Sequence, residues 1–125
     1  MQTATFNPNA RLNHSQKLFT APQWQQLLAN SQSRPESKKV KPVVKLFDPM
    51  GAGTWLLSEC DDDGIAFGLC DLGFGSPELG YVSMEEVCDI RKTRMLGIER
   101  DLHFKPNKTL AEYANEAREI GRIKA

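Results

Sequence analysis

Four short apolar runs lie close together in the middle of the chain, and the turns between them constrain the fold more than any other feature. The runs cover residues 43–47, 54–60, 65–72 and 79–82. Asp-Pro-Met-Gly, Asp-Asp-Asp-Gly and a glycine-rich loop separate them. Parallel strands need a crossover of about a dozen residues or more, and these connections are too short to provide one. We therefore predict an antiparallel meander of four strands.

Helix-start signals stand on both sides of the meander and predict three helices. In each, a Ser or Thr is followed three residues later by Glu or Gln, which is the capping-box pattern of a helix N-terminus. The three pairs are Thr20 with Gln23, Ser83 with Glu86, and Thr109 with Glu112. Residues 98–104 alternate between apolar and polar and predict a fifth strand. The expected fold class is α+β, an antiparallel sheet of about five strands with three helices in the order α-β-β-β-β-α-β-α, the helices packing on one face.

The length of 125 residues is enough for one domain. Residues 1–17 are polar without periodicity, so we expect a flexible tail followed by a single domain over 18–125 with a polar, basic loop at 31–41. Three cysteines without a Cys-x-x-Cys motif are typical of reduced thiols in the cytoplasm. The chain contains no apolar run of the roughly 20 residues that a membrane-spanning helix requires, so we expect no membrane association.

Sixteen basic residues balance sixteen acidic ones, which argues against a strong, non-specific nucleic-acid binder. The loop at 31–41 is nevertheless locally basic, and a nucleic-acid accessory protein remains one hypothesis. The residues that would contact phosphate are Arg34, Lys38, Lys39 and Lys41. The loop carries no aromatic residue on which bases would stack, so a solvated connector is the simpler interpretation.

A small metal-assisted or acid/base hydrolase is a second hypothesis. Glu99, Asp101 and His103 alternate along the last predicted strand and would share one of its faces. They would need help from Asp71 or Glu78 near the glycine loop to surround an ion or a reacting group. The catalytic residues on this interpretation are Asp71, Glu78, Asp101 and His103. We assign no metal site, because ligands about 7 Å apart on one flat strand cannot all reach one ion. We expect no cofactor; the Gly-Phe-Gly of the loop is followed by a proline and a strand, where a dinucleotide motif requires a helix.

Our leading hypothesis is a protein that binds another macromolecule. Phe74 stands between two glycines at the tip of a loop, where an exposed aromatic side chain is a suitable anchor for a partner. We expect Asp71, Glu78, Arg100 and His103 to form a charged cluster near it. The predicted binding residues are Phe74, Glu78, Arg100 and His103.

Several strings of the chain resemble the bacterial domain-of-unknown-function family numbered 2958. They are Val-Val-Lys-Leu-Phe at 43–47, Thr-Trp-Leu-Leu at 54–57, Phe-Gly-Leu-Cys-Asp-Leu-Gly at 67–73, Pro-Glu-Leu-Gly-Tyr-Val-Ser at 77–83 and Ile-Glu-Arg-Asp-Leu-His-Phe at 98–104. The resemblance implies an accessory protein of plasmids and other mobile elements, with no established activity and no catalytic residues to carry over. It implies a host or defence complex as the partner, and hence an inhibitor of host defence of the anti-CRISPR or anti-restriction type. This is an analogy of context.

Overall fold

The architecture follows the element order expected from the sequence. The computed structural model describes residues 6–7, 17–93 and 97–125. The elements are helix α1 (Ala21–Ser33), strands β1 (Val44–Phe47), β2 (Thr54–Cys60), β3 (Ile65–Asp71) and β4 (Glu78–Ser83), helix α2 (Met84–Thr93), strand β5 (Glu99–Arg100) and helix α3 (Leu110–Ile120). The predicted α+β class and its order are thereby confirmed. In the part of the chain that the structure describes, no helix is long and apolar enough to cross a membrane.

The five strands form one antiparallel sheet in the order β4-β3-β2-β1-β5. The predicted meander is confirmed, and β5 pairs with the free side of β1 at the edge opposite β4. The pairing of β2 with β3 shifts between Leu57 and Glu59, which leaves Ser58 as a bulge. The side chain of Asn30 in α1 donates to the Ser58 carbonyl at 2.8 Å, so the helix satisfies an acceptor at the bulge.

The helices pack on both faces of the sheet, and our prediction of a single covered face was wrong. Trp55 and Leu57 enter the core that α1 covers, whereas Leu56 between them enters the core that α3 covers. Successive side chains of a strand point to opposite faces. A run of consecutive apolar residues such as 55–57 therefore requires cover on both sides. Trp55 retains only 3% exposure, which confirms its predicted burial.

Local hydrogen bonds at the helix starts agree with the sequence patterns. The Gln23 amide donates to the Thr20 hydroxyl at 3.2 Å, and the Thr20 amide donates to the Gln23 side chain at 2.9 Å. Thr109 and Glu112 form the same reciprocal pair at 3.2 and 2.9 Å. The Glu86 amide donates to the Ser83 hydroxyl at 3.4 Å. These bonds satisfy amides that have no partner within the first turn of a helix.

The turn between β2 and β3 is the Asp-Gly turn expected from the sequence. Gly64 has a φ of 81°, and the Asp61 carboxylate accepts from the amides of Asp63 and Ile65 at 3.0 and 2.9 Å. Phe6 packs against this turn: its side chain is buried, and its amide donates to the Asp62 carbonyl at 3.2 Å. This contact was not expected from the sequence, and residues 1–5 and 8–16 lie outside the described residues.

All three cysteines are free, as predicted. Cys60 pairs with Ala66 and Cys70 with Trp55, so the two hairpin cysteines do not oppose each other. Burial raises the pKa of the Cys60 thiol to about 12 and that of Cys70 to about 11. Nearby Asp61 and Asp62 add to the effect at Cys60. These thiols are therefore protonated, inert parts of the core near neutral pH.

Candidate protein-binding site

The loop from residue 72 to 77 carries the most exposed large apolar side chain among the described residues. Phe74 is 86% exposed, and Leu72 two residues earlier is also exposed. Gly73 and Gly75 have φ values of 89° and 83°, a region that side chains other than glycine rarely adopt. The two glycines therefore turn the backbone so that Phe74 stands at the tip. Its predicted exposure is confirmed.

Asp71 ties this loop to two other parts of the chain. Its carboxylate is buried, and one oxygen accepts from the Gly73 amide at 2.9 Å. The other oxygen accepts from the Ile123 amide at 3.0 Å, beyond the end of α3. Ala52 of the neighbouring loop also lies against Gly73: a β-carbon added to Gly73 would lie 2.4 Å from the β-carbon of Ala52. The loop therefore rests on the rest of the domain at its base, while its tip projects.

A second loop adds to the apolar surface at this end of the sheet. The connection between β1 and β2 contains Ala52, which touches Gly73, and Met50, whose side chain is exposed. We call the exposed side chains of Met50, Leu72 and Phe74 the end patch. Glu78 is exposed at the start of β4, where the loop ends. Met50 was not identified from the sequence because it stands among turn residues, where an apolar side chain has no periodicity to reveal it.

The structure does not assemble the charged cluster that we predicted. Glu78 begins β4 and Arg100 ends β5, and these strands form the two opposite edges of the sheet. Neighbouring strands lie about 4.8 Å apart, so four spacings place the two residues roughly 19 Å from each other. The Arg100 guanidinium instead donates to the Lys17 carbonyl. The expectation was wrong because the order of strands across a sheet does not follow from the order along the chain.

The predicted shared face of Glu99, Asp101 and His103 is also absent. The strand expected over 98–104 ends at Arg100, and the chain then turns. The Asp101 carboxylate closes that turn by accepting from the His103 amide at 2.8 Å, and it lies 3.3 Å from the ammonium of Lys45. A short polar side chain that bonds the backbone two residues ahead favours a turn over a strand.

The hydrolase hypothesis consequently loses the geometry on which it depended. Asp71 lies on β3, whereas Asp101 and His103 follow β5, and β2 and β1 stand between those strands. Asp71 uses both carboxylate oxygens within the fold. Across the ranges that the structure describes, no three His, Cys, Asp or Glu side chains are grouped so as to hold a metal ion.

One acidic residue, Glu36, partly offsets the positive charge of the basic segment at 31–41. Lys38 and Lys39 lie 3.3 and 3.8 Å from the carboxylate of Glu36. The first three residues of the segment belong to α1, which ends at Ser33. Phosphate binding depends on uncompensated positive charge, and Glu36 reduces it here. The structure thus adds no observation that favours nucleic acid as a partner.

One further acidic residue was missed by the sequence analysis. Glu59 lies in β2 between Ser58 and Cys60, and only 8% of it is exposed. Burial raises the pKa of its carboxyl group, and this effect outweighs the attraction of Arg34, which lowers the pKa. The one signal in the sequence was a single acidic residue in a largely apolar strand, which marks the burial of Glu59 but not its neighbours.

Comparison with known proteins identifies a family but no characterised relative. Residues 18–124 match the model of a family described as "Protein of unknown function (DUF2958)". The match covers all the described strands and helices. Neither a curated protein nor a solved structure shows significant similarity to the chain.

Proposed function

Because the chain belongs to the DUF2958 family, whose description states no activity, we propose its function from its own surface. It is a non-enzymatic protein that binds another protein through the end patch. The observation that supports this proposal most strongly is the 86% exposure of Phe74 on a loop whose base is anchored by a buried carboxylate.

The exposure of Phe74 contributes nothing to folding. Burying a side chain of this type stabilises by about 1.5–3 kcal/mol, and that free energy becomes available only when another surface covers the ring. Large aromatic side chains at the centre of an interface commonly supply most of its binding energy. Leu72 on the same loop and Met50 on the loop that touches it are exposed as well. An exposed group of this kind on an otherwise well-packed domain is typical of a protein-binding site.

The anchoring of the loop favours a preformed protein-binding site. Asp71 fixes the loop base to the segment after α3, and Ala52 supports it from the neighbouring loop. A surface that is already ordered avoids much of the conformational entropy that binding would otherwise cost. The partner we propose is a host or defence protein complex, the class implied by the family resemblance. The cytoplasm is the proposed compartment, because the three cysteines are free.

Substitution of Phe74 tests the proposal directly. The tagged full-length protein is used to capture proteins from its native host, and quantitative mass spectrometry compares the wild type with Phe74→Ala. Losing about 1.5–3 kcal/mol of apolar burial weakens binding roughly ten- to a hundredfold. Because the ring makes no buried contact in the free protein, the free energy of unfolding should change by less than about 0.5 kcal/mol.

Leu102 provides the matched control. It is 67% exposed in the turn after β5, at the sheet edge opposite β4. Leu102→Ala removes a largely exposed apolar side chain outside the end patch. A captured protein that is lost with Phe74→Ala and kept with Leu102→Ala supports the proposal. Equal capture by all three proteins would show that the end patch is not the binding surface.

A further inference from the structure

A small pocket on the sheet face that α3 covers is lined by a buried acidic residue whose carboxylate has no close partner in the part of the chain that the structure describes. Glu59 is 92% buried by residue surface, since only 8% is exposed. Among the described residues, no hydrogen-bond donor contacts its carboxylate and no cation lies within 4.0 Å of it. A buried charge without a partner is costly, so such groups are normally paired or hydrogen-bonded. The free carboxylate indicates a ligand that supplies the missing contact.

The sheet register places two aromatic side chains beside this carboxylate. Glu59 pairs with Phe67, and Phe67 pairs with Tyr81, so the three lie in one row across β2, β3 and β4. Directly paired residues share a face of the sheet. The rings of Phe67 and Tyr81 meet edge to face with centroids 5.0 Å apart, and Tyr81 stays 63% exposed. The row therefore runs from a buried carboxylate to an exposed aromatic ring at the sheet edge.

The charges around the pocket favour a cation. Its volume is about 220 Å³, and its lining consists of Arg34, Pro35, Glu36, Ser37, Glu59, Phe67 and Tyr81. Of its two carboxylates, that of Glu36 already pairs with Lys38 and Lys39, whereas that of Glu59 has no cation of the described residues within ion-pair distance. Arg34 attracts Glu59 electrostatically without reaching ion-pair distance. The exposed ring of Tyr81 adds a second feature that attracts cations, because the face of an aromatic ring is electron-rich.

We propose that this pocket binds the guanidinium group of an arginine side chain presented by a partner protein. A guanidinium is planar, stacks on an aromatic ring and donates two parallel hydrogen bonds to a carboxylate. It would stack on Tyr81 and donate to Glu59. This inference deepens the proposed function, since it states a chemical feature of the partner.

The size and position of the pocket favour a side chain over a free small molecule. Pockets that enclose small ligands usually measure about 300–1,000 Å³, and this one is smaller. It opens beside β4, an edge strand. The Met84 amide donates to the Gly64 carbonyl, so these two residues form a hydrogen-bonded pair. Hydrogen-bonded and non-hydrogen-bonded pairs alternate along antiparallel strands, and the register therefore points the amides and carbonyls of Leu79 and Tyr81 away from β3. A protein segment reaching the pocket would therefore also meet backbone donors and acceptors that point outward from this edge.

The first arm of the test uses N-acetyl-arginine methylamide as the probe, and NMR of the full chain detects its binding. Its neutral analogue, N-acetyl-citrulline methylamide, has nearly the same shape without the charge. We expect saturable shifts at Glu59 and Tyr81 with the arginine probe and at least about tenfold weaker binding of the citrulline probe, because a charge-assisted bond is lost. Glu59→Gln and Tyr81→Ala should each weaken the arginine probe. The control Glu36→Gln should have little effect, because Glu36 is exposed and already pairs with Lys38 and Lys39.

The second arm measures capture of the partner protein by Glu59→Gln. Reduced capture with an intact NMR spectrum supports the inference. Probe binding with unchanged capture would show that the pocket serves a free cation, which overturns the assignment to a partner. Equal binding of both probes, or no shift with either, would overturn the cation site itself. These outcomes are independent of Phe74, so the end-patch proposal and this inference can fail separately.

Discussion

Gly68 and Gly80 form a directly paired couple on β3 and β4, and they should respond in opposite ways to the same substitution. A β-carbon on Gly68 would lie 1.9 Å from the Leu56 carbonyl oxygen, whereas ordinary contact begins at 3.4 Å. The atom in the way belongs to the backbone of β2, which cannot move without disturbing the sheet. A β-carbon on Gly80 would meet nothing within 4 Å. Neither glycine has a positive φ, so the comparison measures the effect of a steric clash without a contribution from backbone strain.

The expected magnitudes follow from these distances. Overpacking costs about 1–3 kcal/mol, and the backbone clash places Gly68→Ala at the upper end of that range. Gly80→Ala should stabilise by about 0.5 kcal/mol, because alanine loses less conformational entropy on folding. Urea denaturation followed by circular dichroism measures both. With a slope of about 1–3 kcal/mol/M, the midpoint should fall by roughly 1–3 M for Gly68→Ala and rise slightly for Gly80→Ala. Equal midpoints for the two variants would refute the reasoning.

Three further predictions concern buried groups. Trp55→Ala should lower the free energy of unfolding by about 3–5 kcal/mol in urea denaturation, because the ring fills the core on the α1 face. The Cys60 thiol should react with a thiol reagent only after denaturation, since burial raises its pKa to about 12; rapid labelling of the native protein would contradict this. Glu59→Gln should stabilise the protein by about 1 kcal/mol at pH 7. The pKa of Glu59 is higher in the folded state, so the folded state binds the extra proton and loses stability as pH rises from 4.5. The gain in stability from Glu59→Gln should therefore vanish below pH 4.5. Arg34 and Asp61 are the neighbouring charges that influence the pKa of Glu59. A gain in stability that persists in acid would argue against an ionised, unpaired carboxylate.

Local features were predictable from the sequence because their causes are local. The capping boxes at Thr20 and Thr109 and the Asp-Gly turn at Gly64 depend on residues within three or four positions of each other. The meander also followed from short connections. The exposure of Phe74 was predictable for the same reason, since two flanking glycines left it no neighbours to pack against.

Features that depend on distant residues were not predictable in this way. The end of β5 at Arg100 is set by the turn that Asp101 closes and by its contact with Lys45, over fifty residues away. The position of β5 beside β1 separated Arg100 from Glu78. Glu59 was overlooked because its significance depends on Phe67 and Tyr81, which join it only when the strands pair.

The placement of β5 also has a consequence for the order of folding. The first four strands pair with their neighbours in sequence, so each pairing closes a small loop. β5 must instead come from the far side of the sheet after α2, and it pairs with β1 at only two positions. Closing a long loop for few contacts is slow and brings little stability. The β1–β5 edge should therefore form last and open first, and its amides should exchange hydrogen faster than those of β2 and β3.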